Sequence, residues 1–480
     1  MINNKPKQCF LVFDQGGHAT RAIIYSQTGN ILFHCESQIS TTEKPGAMVE
    51  HNPDELLNSF YYVINKSAEF LQQNQLQLHS AGLATQRSSF VPMDKISNAA
   101  IYPVISWQDR RSHALITSFQ SQIAEIYQKT GLVLNPHYGA SKMRWCLDNI
   151  PEIKKTMKKS RLIFMPLAGF LIAQLLEEHP HIVDPANASR TLLMNINTGQ
   201  WDQELLNLFG ISVDCLPDIK PTRYDFGKLT INSQKVPLKI CAGDQNAMVF
   251  SQGVPSTRDI IVNAGTGAFI LNVTNNFQGL EQSKLLRSIL YSDSRQTLYA
   301  VEGTVNGAGR ALQWLAEQHS ISHYESLLED YLQQCENPPI FINAIAGVGS
   351  PYWIADLQSY FEYASSIENQ FTAVLESILF LITKNISLMT CINPDIKQIL
   401  ISGGLSKTNT FCQKLANLNN LPVIRTDDSE ATAKGVYHLL SNETHCDDNS
   451  AQKTFHPHQS LSLQTRYAKW QKIMNHFGNR

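Results

Sequence analysis

The chain has 480 residues, of which 43% are hydrophobic and 17% are charged. This composition is typical of a folded protein, and the length exceeds what one hydrophobic core usually serves, so two domains are expected. The formal net charge of -2 argues against general attraction to nucleic acid or to an anionic membrane. The nine cysteines are scattered without a C-x-x-C pair, which predicts reduced thiols and a cytoplasmic protein.

The first predicted elements form a β-meander over residues 9–37. An apolar run ends at Asp14 and leads into the glycine pair Gly16-Gly17. Two further apolar runs follow, separated by the turn Thr28-Gly29-Asn30. Short apolar runs bounded by turn residues predict three strands, with a glycine loop at the first corner.

Strand and helix patterns then alternate along the first half of the chain. Asn52 suits a helix N-cap and Pro53 the first helical position, so a helix is predicted from there to about Gln73. The alternation that follows predicts sheets flanked by helices. Strand patterns lie at 79–85, 89–93 and 101–106, and helical patterns lie near 112–128, 139–148 and 167–178.

Near Ile240 the sequence of strand, glycine loop and strand begins again. One apolar run leads into Gly243-Asp244, and the next leads into Gly265-Thr266-Gly267. Two halves that begin alike predict an internal duplication of the fold. The predicted division is an N-terminal domain at 1–248, a C-terminal domain at 249–445 and a tail with a helix at 446–480.

Several short glycine loops are the features best suited to hold phosphate. No G-x-x-x-x-G-K-[ST] pattern is present, so a P-loop is excluded. A glycine loop exposes backbone N–H groups to an anion because no Cβ blocks the approach, although one such loop alone is only weak evidence. Four of them in one chain favour a nucleotide site: Gly16-Gly17, Gly265-Thr266-Gly267, Gly307-Ala308-Gly309 and Gly403-Gly404.

Asp14 and Asp244 each end a predicted strand beside a glycine loop. Two carboxylates that meet across a cleft could divide the work of phosphoryl transfer: one helps to hold a hydrated Mg²⁺, and the other accepts the substrate's proton. Capping of the loops is the alternative for either residue alone.

An ordered set of motifs along the whole chain resembles the FGGY family of carbohydrate kinases, and most of all its glycerol kinase branch. The matching segments are Phe13-Asp14-Gln15-Gly16, Gln86-Arg87, Trp107-Gln108-Asp109-Arg110-Arg111, Asn187-Ala188-Ser189-Arg190-Thr191, Ala242-Gly243-Asp244-Gln245, Gly265-Thr266-Gly267, Gln313-Trp314-Leu315, Ser350-Pro351-Tyr352-Trp353, Gly403-Gly404 and Arg466-Tyr467-Ala468. The resemblance implies two ribonuclease-H-like α/β domains of the actin/hexokinase type, with a cleft between them that closes over the substrates.

The resemblance also implies a kinase that uses ATP and Mg²⁺. Asp244 matches the base that activates the substrate hydroxyl, and Asp14 matches the aspartate associated with the metal, so both are predicted as metal-site residues. The predicted substrate contacts are Arg87, Ser88, Trp107, Asp109, His137, Gln245 and Phe269. The predicted nucleotide contacts are Asp14, Gly16, Gly17, His18, Arg21, Gly265, Thr266, Gly267, Gly309, Gln313, Gly404 and Thr408.

Several positions depart from the glycerol kinase pattern. Gly17 and His18 replace two threonines that donate to phosphate, and His18 is either a substitute donor or a solvated loop residue. Ser88 replaces a glutamate that accepts from substrate hydroxyls, and His137 replaces a tyrosine. Ile354 and Thr408 also differ from the family's aspartate and asparagine. The kinase framework is therefore intact, while the contacts expected for glycerol are half replaced.

These patterns predict an ATP-dependent kinase that phosphorylates a hydroxyl of a small polyol or sugar, without identifying which one. A non-catalytic sensor of the same fold that binds nucleotide or sugar is the alternative, and an actin-like or chaperone-like ATPase is a weaker third. The expected partner is a small molecule, not nucleic acid or membrane. The sequence leaves the oligomeric state open, and a homodimer is one assembly compatible with it.

Overall fold

A computed structural model describes residues 8–335, 337–426, 430–441 and 453–478. The strands of the first half are β1 (Gln8–Gln15), β2 (Ala19–Ser26), β3 (Ile31–Gln38), β4 (Thr42–Lys44), β5 (Met48–His51), β6 (Gln77–Thr85), β7 (Phe90–Asp94), β8 (Val104–Ile105), β9 (Leu162–Pro166), β10 (Ile182–Val183), β11 (Met194–Asn195), β12 (Gln200–Trp201), β13 (Asp218–Ile219), β14 (Arg223–Ile231) and β15 (Gln234–Gly243). The helices of this half are α1 (Pro53–Gln73), α2 (His113–Ile116), α3 (Ile123–Thr130), α4 (Gly139–Asn149), α5 (Pro151–Lys158), α6 (Leu167–Leu175), α7 (Pro185–Ser189), α8 (Gln203–Phe209) and α9 (Asp244–Met248).

The second half adds further strands and longer helices. Its strands are β16 (Asp259–Ala264), β17 (Ala268–Val273), β18 (Leu286–Ser292), β19 (Thr297–Val305), β20 (Phe341–Ile342), β21 (Tyr360–Phe361), β22 (Gln398–Ser402), β23 (Val423–Arg425) and β24 (Lys453–Phe455). Its helices are α10 (Leu280–Ser283), α11 (Gly309–Gln318), α12 (Tyr324–Gln334), α13 (Ile367–Ile392), α14 (Asn409–Asn419), α15 (Ala431–Ser441) and α16 (Leu461–Gly478).

The described residues divide into two compact units that are discontinuous in sequence. The first lies within Met1–Val254, Ser288–Tyr299 and Glu430–Asp447, and the second lies within Pro255–Arg287, Ala300–Ser429 and Asp448–Arg480. Helix α15 thus belongs to the first unit although it comes late in the chain. The predicted domain limits at 248 and 445 remain a prediction, and the second of them lies outside the described residues.

The first unit is built on a sheet with the strand order β14-β15-β6-β1-β2-β3. Strands β1, β6 and β15 run parallel to one another, whereas β2 and β3 continue the sheet antiparallel. The central strand β1 is buried along nearly its whole length, which explains its continuous apolar run. The β-meander predicted over residues 9–37 is confirmed as β1, β2 and β3.

Helix α1 covers one side of this sheet and begins where the sequence predicts. The Asn52 side chain accepts a hydrogen bond from the backbone N–H of Asp54 at 2.8 Å, and Pro53 occupies the first turn. Its buried positions recur at helical spacing, so one apolar stripe faces the core: Leu56, Phe60, Val63 and Leu71.

The second unit repeats the sheet plan of the first. Its sheet contains the consecutive strands β19-β17-β16-β22-β23-β24. Strand β16 pairs antiparallel with β17, and parallel with β22, which in turn is parallel to β23. The series β3-β2-β1-β6-β15 of the first unit therefore has the same order and directions as β19-β17-β16-β22-β23, as the predicted duplication requires.

Helix α13 is the central helix of the second unit. It is long and apolar enough to cross a membrane by length and composition, but 72% of its most apolar window is buried inside the protein. Glu376, one of its charged residues, is also buried, and Arg466 and Lys414 each contact its Oε1 at 2.7 Å. The helix is accordingly a core element of this unit.

Candidate active site

The carboxyl ends of three parallel strands bring the predicted catalytic residues of the first unit to one sheet edge. Asp14 of β1 and Ala242 of β15 are both paired with Ala84 of β6. The chain then leaves the sheet, and Asp244 becomes the first residue of α9. Because parallel strands end at the same edge, side chains distant in sequence converge there.

Asp14 is a nearly buried carboxylate whose side chain is 10% exposed. Arg21, its partner on β2, lies 3.5 Å away and also contacts Glu36 at 3.2 Å. Burial, followed by the negative charge of Asp244, raises the pKa of Asp14 to about 7, although Arg21 opposes the rise. The two aspartates are therefore close enough to repel each other.

Asp244 is the more open of the two carboxylates, with 30% of its side chain exposed. Its Oδ1 lies 4.0 Å from Nε of Arg87 and accepts a hydrogen bond from the Gln245 backbone N–H at 2.7 Å. Burial raises the pKa of Asp244 despite the opposing charge of Arg87. Arg87 also donates to Gln245 Oε1 and to Asn246 Oδ1, the latter at 3.0 Å, so one guanidinium organises this turn.

Ser88, His137 and Trp107 form a second group in the first unit, which we call the Ser88–His137 patch. Ser88 Oγ lies 2.9 Å from His137 Nε2, and the Trp107 and His137 ring centroids are 5.7 Å apart with an edge-on geometry. Ser88 is held in the left-handed region, with φ of 66°. Burial and then nearby cations keep the pKa of His137 well below its usual value, so its ring is neutral at pH 7.

Asp109 does not join this group through its side chain. It is 0% exposed, and both of its oxygens accept from Arg111, with Nη2 at 2.8 Å from Oδ2. The Val49 backbone N–H donates to the same carboxylate at 2.7 Å, and Arg111 continues to Glu50 at 2.7 Å. This closed network favours a structural role for Asp109, and its predicted contact with substrate remains a prediction.

The first glycine loop is a tight turn between β1 and β2. The backbone N–H of Gly16 donates to the Ala19 carbonyl at 3.0 Å, and nothing lies within 4 Å of the position that a Cβ on Gly17 would take. His18 is exposed at the tip. Gln86, the residue that follows β6, supports the loop by donating to the Gly16 carbonyl at 3.3 Å. The turn therefore has open space beside Gly17, and it exposes the imidazole of His18.

In the second unit, the turn Gly265-Thr266-Gly267 between β16 and β17 contacts the start of α11. The backbone N–H of Gly309 donates to the Gly265 carbonyl at 2.9 Å, and that of Arg310 donates to the Thr266 carbonyl at 3.1 Å. Thr266 itself is exposed. The structure thus brings two of the predicted nucleotide loops together, while Gln313 lies exposed one turn further along α11.

A third loop of the second unit follows β22. Gly403 has φ of 92°, and a Cβ there would lie 2.6 Å from the Ala264 carbonyl oxygen, so only glycine fits. Gly404 is exposed, and Thr408 is the N-cap residue before α14 but makes no side-chain capping bond. Ala264 ends β16, so this loop lies against the strand that leads into Gly265. Phe269 is half-buried on β17, opposite Asn263.

Sequence reasoning gave no role to several charged residues that the structure places near the predicted site. Arg190 lies close enough to influence the pKa values of Asp244 and His137, and it donates to Ser288 at 2.6 Å. Arg110 and Lys142 also influence His137. Arg110 and Arg190 stand inside motifs that carried the family resemblance, but no spacing rule shows which motif residues meet in space.

Two similarly built α/β units, each with glycine loops at the ends of its central strands, form an architecture that two-domain phosphotransferases use. The N-terminal domain profile of the FGGY family of carbohydrate kinases matches residues 9–251, and its C-terminal domain profile matches residues 260–440. The chain belongs to the FGGY family of carbohydrate kinases. It is thus a kinase, a phosphotransferase with an alcohol group as acceptor, and its family uses ATP as phosphoryl donor.

Individual relatives agree with this assignment along the whole chain. A glycerol kinase from Alkalilimnicola ehrlichii is 29% identical, and one from Halothermothrix orenii is 28% identical, each with 98% of both chains covered. A glycerol kinase from Plasmodium falciparum solved with ADP superposes with a TM-score of 0.86 at 24% identity, covering 98% of both chains. A xylulose kinase from Rhodospirillum rubrum superposes with a TM-score of 0.84 at 16% identity, covering 98% of this chain and 99% of the xylulose kinase. The predicted fold class is confirmed, and no observation favours the non-catalytic alternative.

Proposed function

We propose that this protein transfers the terminal phosphoryl group of ATP to a hydroxyl of a small polyol or sugar, with Asp244 as general base. The observation that carries the proposal is the placement of Asp244. Its carboxylate stands partly exposed at the end of a parallel strand, 4.0 Å from the Arg87 guanidinium, with Asp14 on the same sheet edge. A carboxylate in this position is available to a substrate hydroxyl.

In the proposed reaction, Asp244 accepts the proton of the attacking hydroxyl. The hydroxyl oxygen forms a bond to phosphorus while the bond to the ADP oxygen breaks, which completes the transfer. Arg87 fixes the orientation of Gln245 and stands beside Asp244, so it holds both the base and the substrate oxygens in place. Trp107 and Phe269 supply apolar surface for the carbon chain of the substrate.

The nucleotide contacts are proposed on exposed backbone and side-chain donors. Gly16, Gly17 and His18 form the loop of the first unit, and Arg21 stands behind it beside Asp14. In the second unit, the proposed nucleotide contacts lie in the loops and at the helix starts described above: Gly265, Thr266, Gly267, Gly309, Gln313, Gly404 and Thr408. Backbone N–H groups in such turns favour phosphate oxygens.

A magnesium ion fits the residues at the sheet edge. Among the described residues, no group of three or more His, Cys, Asp or Glu side chains is arranged to hold a metal. Mg²⁺ does not need such a group, because it usually keeps several waters and binds one or two carboxylates plus substrate phosphates. Asp14 and Asp244 would hold it, since a cation between two carboxylates that repel each other relieves the repulsion. When bound, the ion neutralises charge on the phosphates.

The proposed setting is the cytoplasm. The described cysteines are all free, with Cys446 outside the described residues, which is the state expected in a reducing compartment. Assembly as a homodimer remains a prediction.

A coupled ADP-release assay with a panel of polyols, ketoses and sugar acids tests the proposal. We expect turnover with at least one acceptor, and we expect Asp244→Asn to lower kcat by about 10²–10⁴-fold. Asp148→Asn is the matched control, because Asp148 is an exposed aspartate on α4 that pairs with Arg144 at 2.8 Å. Tight ATP binding in calorimetry without turnover of any acceptor would contradict the proposal and favour a non-catalytic sensor.

A further inference from the structure

The Ser88–His137 patch lies in a strongly cationic part of the first unit. After burial, four positive charges lower the pKa of His137, in the order Arg110, Lys142, Arg190 and Arg87. A neutral imidazole surrounded by cations is an environment that favours a negatively charged ligand.

Arg110 offers the clearest unused donors in this group. Its Nη1 donates to the Trp107 carbonyl at 2.8 Å and to the Asp109 carbonyl at 3.2 Å. Within the described part of the chain, its Nε and Nη2 make no hydrogen bond and it forms no ion pair. Burial lowers its pKa, and the negative charge of Asp109 opposes the change. The edge of a guanidinium that carries Nε and one Nη matches the two oxygens of a carboxylate.

Lys142 adds a second cation beneath the patch. It is 0% exposed, and its ammonium donates to the Ser106 carbonyl at 2.9 Å. No carboxylate among the described residues forms an ion pair with it. Burial lowers its pKa to about 7, the negative charge of Asp109 opposes the change, and the cations Arg110 and Arg111 act in the same direction as burial. An anion placed nearby would favour its charged form.

The described carboxylates near the Ser88–His137 patch already form ion pairs with other cations. Asp109 and Glu50 both bind Arg111, and Lys44 also contacts Glu50. Asp244 faces Arg87 at 4.0 Å and is the proposed base. Asp109 partly offsets the charges of Arg110 and Lys142, but its oxygens already accept from Arg111, so Nε and Nη2 of Arg110 have no carboxylate partner among the described residues.

We propose that the acceptor substrate is a sugar acid, a polyol that carries a carboxylate, and that this carboxylate binds at Arg110 and at Ser88, which His137 orients. The inference rests on the proposed kinase function and specifies its substrate class. Ser88 and the neutral His137 share one hydrogen bond, and when His137 donates, the Ser88 hydroxyl hydrogen is free for the ligand. A glutamate at position 88 would place a negative charge where the substrate carboxylate binds.

A carboxylate fits better than a phosphate ester on the donors present. The patch offers one guanidinium edge and one hydroxyl, which suits a planar anion with a single charge. A phosphate group carries about two negative charges and three strong acceptor oxygens, so it needs more hydrogen-bond donors than this patch offers. Sugar phosphates therefore form a separate arm of the test.

The experiment compares matched acceptors in the coupled ADP-release assay: glycerol with glycerate, xylitol with xylonate, sorbitol with gluconate, and each polyol with its phosphate ester. We expect kcat/KM for at least one sugar acid to exceed that of its neutral partner by tenfold or more. Arg110→Gln should lower kcat/KM for the acid at least thirtyfold, mainly through KM, and change that for neutral polyols less than threefold. Lys154→Gln, which removes an exposed cation on α5, should leave both unchanged.

Ser88→Glu provides a second, independent readout if Arg110→Gln does not fold. It should abolish the preference for the acid and raise activity with neutral polyols, whereas Ser88→Ala should weaken the preference without abolishing it, because Arg110 still binds the carboxylate. Wild-type preference for a neutral polyol would overturn the sugar-acid inference and leave the kinase function standing. Preference for a phosphate ester would overturn the assignment of a carboxylate, and turnover of no acceptor would overturn the kinase function together with it.

Discussion

Replacing Asp109 by Asn separates a structural role for this residue from a role in binding substrate. Asp109 is 0% exposed, and its two oxygens accept from Nε and Nη2 of Arg111 at 2.9 and 2.8 Å. Hydrogen bonds to charged groups contribute about 1.5–3 kcal/mol each, and breaking a buried ion pair costs about 3–5 kcal/mol. Because asparagine still accepts at one oxygen and Glu50 still faces Arg111, we expect a loss of about 3 kcal/mol in the free energy of unfolding.

Thermal unfolding followed by circular dichroism measures this change. For a unit of this size, about 1 kcal/mol corresponds to roughly 2–4 °C, so the transition of the first unit should fall by about 6–12 °C. Asp148→Asn serves as control, because its partner Arg144 is exposed and such pairs contribute about 0.3–0.5 kcal/mol.

Kinetics of the folded variant decide between the two roles. Well below its transition, Asp109→Asn should keep the KM for the acceptor within about threefold of wild type, since a residue without substrate contact does not change ground-state binding. A variant that melts within about 2 °C of wild type but raises KM about a hundredfold would refute the structural reasoning and support a substrate contact.

Two further predictions concern the second unit. Burial opposes ionisation of Glu376, but Arg466 and Lys414 outweigh it and hold its pKa below the usual value, so its stabilisation is present at neutral pH and lost as pH falls through that lowered pKa. Glu376→Gln should therefore lower the unfolding free energy by about 3–5 kcal/mol at pH 7 and flatten the acid limb of the stability profile, and an unchanged acid limb would contradict the assignment. Gly403→Ala, which brings a Cβ to 2.6 Å from the Ala264 carbonyl oxygen, should destabilise the unit by about 1–3 kcal/mol in urea unfolding and raise the KM for ATP. A change in stability without any change in KM would show that this loop is structural only.

Much of the fold follows from local pattern. The N-cap at Asn52 and proline at the next position placed the start of α1 correctly, because both act on the first turn alone. The strands of the β-meander were also predictable, since their apolar runs end at glycine turns. The strand predicted at 101–106 is only Val104–Ile105, because propensity does not reveal where pairing with a neighbour stops.

The site was less predictable because its residues meet through tertiary structure. The strand-end positions of Asp14 and Asp244 were visible from sequence, and their mutual repulsion follows from the parallel order of β1, β6 and β15. Nothing in the Trp-x-Asp-x-Arg spacing shows that Asp109 turns inward to Arg111 while Arg110 keeps free donors. Pairing of charges is decided by three-dimensional neighbours, which a motif does not specify.

Helix α15 has a consequence for how the protein is made. It belongs to the first unit, where Tyr437 stacks on Tyr25 at 4.9 Å and His438 contacts the Phe250 carbonyl at 2.7 Å. A Cβ on Gly435 would overlap the Ala247 carbonyl, so this helix presses directly on the turn that carries Asp244. During synthesis, most of the first unit therefore leaves the ribosome well before helix α15 does. The surface that α15 covers stays exposed until residues 431–441 emerge.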